Sequence, residues 1–313
     1  MQAPAAVVMV RPHGFLPNPQ TATDNAFQRS AGARDAAALA AAAHAEAGAV
    51  AAALEAAGVR VHLFEDRGGC HTPDSVFPNN WFSTHAGGHV ALYPMFSPNR
   101  RQERRADVIE MLKTAYRVQD VIDYSGLEQD GLFLEGTGAM VLDHVERIAY
   151  VVQSNRASAV ALERFCTHFN FEPMAFEAVD CAGRAVYHTN VMLCIGTAFV
   201  LVATAMIRSP QRRAEVLDRM AQSGRTVIVL SEAQVGEFAA NAIELSTPDG
   251  PLLAMSARAA AVLEPEQRRA IEASARILAV DVPTIELAGG SVRCMLAGIH
   301  LAPRDLTGAP SCR

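Results

Sequence analysis

Ile148-Ala149-Tyr150-Val151-Val152-Gln153-Ser154-Asn155-Arg156 decides how this chain of 313 residues is read. Five apolar residues, three of them β-branched, describe a buried strand. They run straight into a short polar turn. A helical pattern continues to about His168, and a second apolar run, Phe171–Ala178, follows. The same order recurs on either side. Val90–Met95 leads through Ser97-Pro98-Asn99-Arg100 to a helix ending near Ala115, then Gln119–Tyr124. Phe199–Ile207 leads through Arg208-Ser209-Pro210 to a helix ending near Met220, then Arg225–Leu230. Leu252–Met255 leads through Ser256-Ala257-Arg258 to a helix ending near Ala275, then Ile277–Val282. An alanine-rich helix from about Asp35 to Ala57, closed by Gly58, precedes a strand at Arg60–Glu65 and makes a fifth unit.

Strand–helix–strand units repeating about every 50 residues predict an α/β protein. Five of them suggest a ring of small sheets around a central channel, which protects the strand edges. An ordinary α/β domain with coincidental spacing is the alternative. A dinucleotide-binding fold has less support, because no G-x-G-x-x-G follows a strand. No Pro/Gly/Ser linker splits the chain, so residues 1–313 are expected to form a single domain.

Half of the residues are hydrophobic, which supports a sizeable core. The formal charge is −6 without a long basic run, which disfavours duplex nucleic acid as a partner. The densest basic cluster, Arg100, Arg101, Arg104 and Arg105, reads as the start of a helix. Six scattered cysteines, at 70, 166, 181, 194, 294 and 312, form no disulfide framework and predict reduced thiols in the cytoplasm. No Lys or Arg precedes the first apolar run, which disfavours a secretory signal. Val191–Ile207 is nearly all apolar, but Gly196-Thr197 near its middle and flanking β-branched residues favour a buried hairpin over a membrane span, so no membrane partner is expected.

Four segments place polar residues inside apolar surroundings, each at a unit boundary. They are Pro73–Trp81, Leu134–Gly138, Tyr187–Asn190 and Gly289–Met295. In a ring, equivalent ends converge on the axis, so the four could share one pocket. Such a pocket would hold Cys294, His188 and the carboxylates Asp74 and Glu135. A thiolate is a nucleophile, a histidine can take its proton and later protonate a leaving amine, and a carboxylate can orient the imidazole. Gly289-Gly290 would permit close approach of backbone to substrate. Each residue also has a plain structural reading, as core cysteine, packed histidine or turn residue. Cys70-His71 and His85-x-x-x-His89 lack the second pair and the helix that a zinc site would use, so no metal is expected.

Together these segments, with Asn18-Pro19-Gln20-Thr21-Ala22 and Asn25-Ala26-Phe27-Gln28, resemble the guanidine-modifying enzymes: arginine deiminases, dimethylarginine dimethylaminohydrolases and amidinotransferases. The resemblance runs from residue 7 to 302 and looks nearest to the citrulline-utilising hydrolases. It implies the pentein fold, a five-bladed α/β propeller of pseudo-fivefold ββαβ repeats. It implies Cys294 as nucleophile, His188 as acid/base and Glu135 as the carboxylate of a Glu-Gly-Gly-Asp motif. Asp74, in Pro-Asp-x-Val-Phe, is then a substrate-binding acid, and Arg100 and Arg156 grip a substrate α-carboxylate. Arginine deiminases place aspartates where Asn80 and Asn190 stand, and Gly138 replaces the last Asp of Glu-Gly-Gly-Asp. An amide can donate to a ureido oxygen that a carboxylate would repel. The expected activity is therefore hydrolysis of citrulline to ornithine, carbon dioxide and ammonia through a carbamoyl thioester, with no cofactor. The alternatives are a guanidine hydrolase, such as arginine deiminase or dimethylargininase, and a catalytically inactive ligand-binding propeller. A small amino acid is the expected partner, and a homo-oligomer is left open.

Overall fold

The computed structural model describes residues 1–304 except Ala33, so Cys312 lies outside the described residues. The described strands form five three-stranded sheets. In every sheet the middle strand pairs antiparallel with one neighbour and parallel with the other. The middle strands are Ala6–Pro12, His89–Leu92, Ile148–Val152, Phe199–Val202 and Gly250–Ser256. A parallel pair needs a crossover, and each is made by a helix. The helices are Ala36–Ala56, Ala106–Ala115, Ala159–Phe169 and Pro210–Gln222, and in the fifth unit Ala257–Ala261 with Pro265–Glu272. The third strands are Arg60–Asp66, Asp120–Asp123, Glu172–Phe176, Thr226–Val229 and Arg276–Val280.

Each unit also has a leading strand antiparallel to the middle one: Phe82–His85, Met140–Asp143, Leu193–Ile195 and Ile243–Thr247. The expected hairpin in Val191–Ile207 is one of these, with Gly196 at its turn. For the first unit the leading strand is Ala297–Gly298, from the far end of the chain, with Val7 opposite Gly298. The chain thus closes the sheet it began. Leading strands of adjoining sheets lie against one another, Phe82–His85 on Ala297–Gly298 and Met140–Asp143 on Leu193–Ile195.

Local signals explain the boundaries. Asp35 caps the first helix by accepting from the Ala38 N–H at 3.1 Å, and Gly58 follows its end with φ +91°, a conformation glycine adopts without strain. Among the described residues this is the one helix long and apolar enough to cross a membrane. Its Ala43, Ala47, Val50 and Leu54 face pack with Val7 and Met9 of the first sheet. The helix expected to run on to Ala275 breaks at Glu264-Pro265. Proline disfavours helical backbone in the residue before it, and Glu264 is extended and begins a new helix with a capping box to Gln267. The basic cluster also departs from expectation. Arg100 and Arg101 lie on a 3₁₀ turn, Pro98–Glu103, and the helix begins only at Ala106.

Neighbouring units are joined by buried charge. Arg225 binds both oxygens of Asp143, at 2.5 and 3.0 Å, and its Nε donates to the Gly196 carbonyl. Asp143→Ala should cost about 3–5 kcal/mol in urea unfolding by stranding the guanidinium. Adding Arg225→Met should recover most of that loss. A single-variant loss below about 1 kcal/mol, the worth of an exposed pair, would show that the pair does not join the units.

Candidate active site

Just ahead of each leading strand the chain makes a tight turn. The turns include Pro78–Asn80, Gly136–Ala139, Thr189–Val191 and Val292–Met295, with a further turn at residues 237–240. They carry Asn80, Glu135, His188 with Asn190, Cys294 and, from the remaining unit, Asn241. Residues more than 200 positions apart therefore meet because they hold equivalent places in successive units. A small pocket is lined by Thr21, Asn25, Asp74, Asn80, Arg100, Arg156, Tyr187, His188 and Cys294. Glu135 and Asn190 stand behind this wall. All eight residues singled out in the sequence are buried, none more than 3% exposed.

The Cys294 sulfur receives two amide N–H groups, from Asn190 Nδ2 and Asn241 Nδ2, each at 3.2 Å. Asn241 is itself fixed, since its oxygen accepts from the Arg293 N–H at 3.0 Å. Two donors aimed at sulfur suit negative charge developing there. The Oδ1 of Asn190 and the Oδ1 of Asp74 are buried without a hydrogen-bond partner. Both are acceptors available to a donor-rich ligand.

His188 Nε2 lies 2.8 Å from Glu135 Oε2. Burial raises the Glu135 carboxyl, but Arg156, the His188 bond and Arg100 together outweigh it and hold the group below the usual carboxylate range. An ionised carboxylate only accepts, so the His188 proton belongs on Nε2, leaving Nδ1 as the acceptor nitrogen. Burial lowers the His188 pKa, with Glu135 opposing it and the two arginines adding to it. Gly138 explains its own identity. A Cβ there would sit 2.8 Å from Nδ1 of His188 and would overlap the Asn80 amide. The final Asp of Glu-Gly-Gly-Asp has no room beside this histidine.

The two arginines expected to grip a substrate carboxylate both line the pocket, and both are paired with protein carboxylates. Arg100 binds both oxygens of Glu103 at 2.9 Å and lies 3.7 Å from Asp74 and 3.8 Å from Glu135. Arg156 binds Asp24 at 2.5 and 2.9 Å, lies 3.4 Å from Glu135 and sits over the Tyr187 ring. Both guanidiniums are already matched by protein carboxylates. Asn80 lines the pocket as well. With its oxygen toward Arg100 it accepts at 2.9 and 3.1 Å, and its nitrogen donates to Asn79. Gly289 and Gly290 give close approach to Asn25 and Phe77, since a Cβ at either position would meet those side chains. Arg208 is exposed, and Arg258 pairs with Glu237.

Asn241, Asp24 and Glu103 were not singled out in the sequence. Four units had supplied a polar turn, so the fifth should have had one. Its place is Phe238-Ala239-Ala240-Asn241-Ala242, where one amide interrupts an apolar run. Phe238 there is left-handed, φ +63°, an uncommon and costly conformation for a bulky residue. The segment around the Asn-Pro-Gln motif supplies the remaining wall. Asn18 donates to Asp74 at 2.8 Å, and Asn25 donates to the Ala288 carbonyl at 3.0 Å.

Comparisons with known proteins follow from this geometry. A family model described as N,N dimethylarginine dimethylhydrolase, eukaryotic, matches residues 11–301. No curated protein matches. Among solved structures, the N-terminal domain of ArgZ, an arginine dihydrolase from the ornithine-ammonia cycle in cyanobacteria, superposes with a TM-score of 0.71 at 16% identity. That match covers 95% of this chain and 98% of that one. AgrE, bound to L-arginine, matches at a TM-score of 0.72 and 16% identity over 96% of this chain and 41% of its own. A dimethylarginine dimethylaminohydrolase matches at 0.62 and 15% identity, covering 94% and 99%. At these identities the likeness shows an α/β fold shared with pentein enzymes.

Burial raises Glu103 and Arg100 lowers it, leaving it at about 7 against an ordinary 4.5. The folded chain therefore holds this proton more tightly than the unfolded chain. The group's contribution to stability is full below pH 4.5, declines as pH rises toward 7 and is constant above. Glu135, displaced the other way, contributes above its unfolded pKa and loses that contribution in acid. Glu103→Gln should thus reduce the fall in urea midpoint between pH 4.5 and 7, with the part due to Asp74, also raised by burial, remaining. An unchanged slope would show that Glu103 does not hold its proton in the folded state.

Proposed function

Since this chain belongs to the N,N-dimethylarginine dimethylhydrolase family of pentein guanidine-modifying enzymes, we propose that it is a cysteine-dependent hydrolase of C–N bonds at the end of an arginine-type amino acid. The observation that carries this reading is the pairing of a buried sulfur that receives two N–H donors with a buried histidine bonded to an ionised glutamate.

Cys294 gives its proton to the free Nδ1 of His188, and its sulfur bonds to the terminal carbon of the guanidino or ureido group. One C–N bond breaks, and the departing amine takes a proton from His188. Glu135 holds the imidazole and balances its charge when it is protonated. Water then adds to the sulfur-bound carbon, His188 accepts its proton, and the C–S bond breaks to restore the thiol. Asn190 and Asn241 hold the sulfur in place. Asp74 offers its unpartnered oxygen to a substrate N–H, while Arg100 and Arg156 position Asp24, Asp74, Glu103 and Glu135. The five sheets serve as blades of a five-bladed propeller forming one catalytic domain, with the pocket on its axis. Five free cysteines among the described residues fit a reducing compartment.

A guanidino group is the substrate the comparisons favour, as in an arginine or methylarginine hydrolase. The pocket wall also supports it: Asp74 lines the pocket and keeps one oxygen unpartnered, so its carboxyl can ionise against a cationic end group. Citrulline is the second reading, and one observation favours it. Both side chains bonded to Cys294, Asn190 and Asn241, are neutral amides, which set no negative charge against a neutral ureido group.

Arginine, dimethylarginine and citrulline compared at equal concentration separate these readings. The guanidino reading expects arginine or dimethylarginine to have the highest kcat/KM. Citrulline leading would establish the second reading, and turnover of none of the three would leave only a ligand-binding role. Asn190→Asp, read as binding in a Cys294→Ser background, should shift the affinity ratio toward arginine over citrulline by about 10- to 100-fold, the worth of a charge-assisted bond. A flat ratio would show that Asn190 does not face the substrate's end group.

A further inference from the structure

Away from the pocket, one group of side chains has donor chemistry that the proposed reaction does not use. His13 follows the strand Ala6–Pro12, His44 lies on the helix Ala36–Ala56, and Glu65 lies on the strand Arg60–Asp66. Their two imidazoles and one carboxylate offer donor atoms within 4.8 Å of one another. Glu65 Oε2 is 2.8 Å from His13 Nε2 and 3.8 Å from His44 Nε2. A tetrahedral ion with bonds of about 2.0–2.1 Å holds its ligand atoms about 3.3 Å apart, between these two distances. The imidazole rings meet edge to face with centroids 4.6 Å apart.

The arrangement is oriented from behind. Arg11 lies directly across the strand pair from Glu65. Its Nε and Nη2 donate to Oε1, the Nε bond at 2.9 Å, which leaves Oε2 for the imidazoles. A fixed hydrogen bond behind a ligating group is what metal sites use to aim it. The His44 and Glu65 side chains are 34% and 33% exposed, and that of His13 is 44% exposed. An ion can therefore enter and keep a water ligand.

We propose that His13, His44 and Glu65 form a site for a divalent transition metal of the zinc class, with three protein ligands and water in the fourth position. Two nitrogens and one oxygen suit zinc or cobalt, whereas magnesium and calcium favour oxygen alone. The positive charge of Arg11 opposes the cation, so the site is weaker than a closed four-ligand one. A bound ion would fasten the start of the segment that carries Asn18, Thr21, Asp24 and Asn25 to a helix and a strand of the first unit.

The test uses the full chain, stripped of metal and titrated with cobalt(II) and zinc(II). One equivalent of cobalt should bind with visible d–d absorption and without a thiolate charge-transfer band, and Cys294→Ser should bind it equally well. His44→Ala and Glu65→Gln should each weaken zinc binding at least about 10- to 100-fold, the range found even for groups that only orient a ligand. The metal-free urea midpoint verifies that each variant folds, and the exposed His13→Asn serves if one does not. No saturable binding below about 1 mM would overturn the proposal. So would affinity unchanged in the variants, or a thiolate band, which would place the ion at a cysteine instead.

Discussion

The Glu135 carboxylate is completely buried, and an isolated anion there would be prohibitively costly. It stays ionised because its surroundings supply compensation from several parts of the chain. Phe96 donates its backbone N–H at 3.0 Å, His188 its imidazole N–H at 2.8 Å, and Arg156 and Arg100 stand at 3.4 and 3.8 Å. Those partners come from three successive units. Each arginine is in turn held by another carboxylate, Glu103 or Asp24, and Asp24 belongs to the segment that closes the pocket from the N-terminal side. Much of the site can be traced outward from this one charge. An ordered cluster of this kind is costly to leave half-satisfied, so it also fixes how the units stand relative to one another.

The same constraint explains what each group can do. The histidine is bonded to an acceptor on one side, which settles its tautomer and frees the other nitrogen. The sulfur, by contrast, meets the amide donors of Asn190 and Asn241. The histidine and the sulfur thus sit in environments of opposite character, though both are buried. The separation arises because each comes from a different turn, and each turn is set by the leading strand that follows it. Sequence distance is immaterial to such a site. Asn80 and Cys294 are neighbours because they occupy the same place in different units.

Much of this was legible in the sequence. The strand–turn–helix–strand order placed all five units and gave the α/β class, though not the middle strand of the first unit, because apolar runs and capping residues report directly on local structure. The leading strands were harder to see. They are short, as Phe82–His85 and Ala297–Gly298 illustrate, and the second pairs with a strand nearly 300 residues away, which no local pattern encodes. Cys294, His188, Glu135 and Asp74 stood out as polar residues in apolar settings, and the fold brings them together. Asn241 has the same signature but lies among small alanines, where an amide reads as ordinary turn chemistry. The arginines show the other limit. Their recurrence marked the pocket, but sequence does not say whether a guanidinium faces a ligand or another side chain. Gly138 was visible only as a departure, and its reason, the space taken by His188 and Asn80, is purely three-dimensional.

The central claim is that Cys294 carries the reacting carbon while His188 moves the proton. Rapid mixing with the best amino-acid substrate, acid quenching and mass analysis of the intact chain and its peptides test this directly. The account predicts a transient adduct confined to the peptide that contains Cys294, forming and decaying at least as fast as turnover and absent in Cys294→Ser, which should also be inactive. Steady turnover in Cys294→Ser, or a competent adduct on another residue, would contradict it.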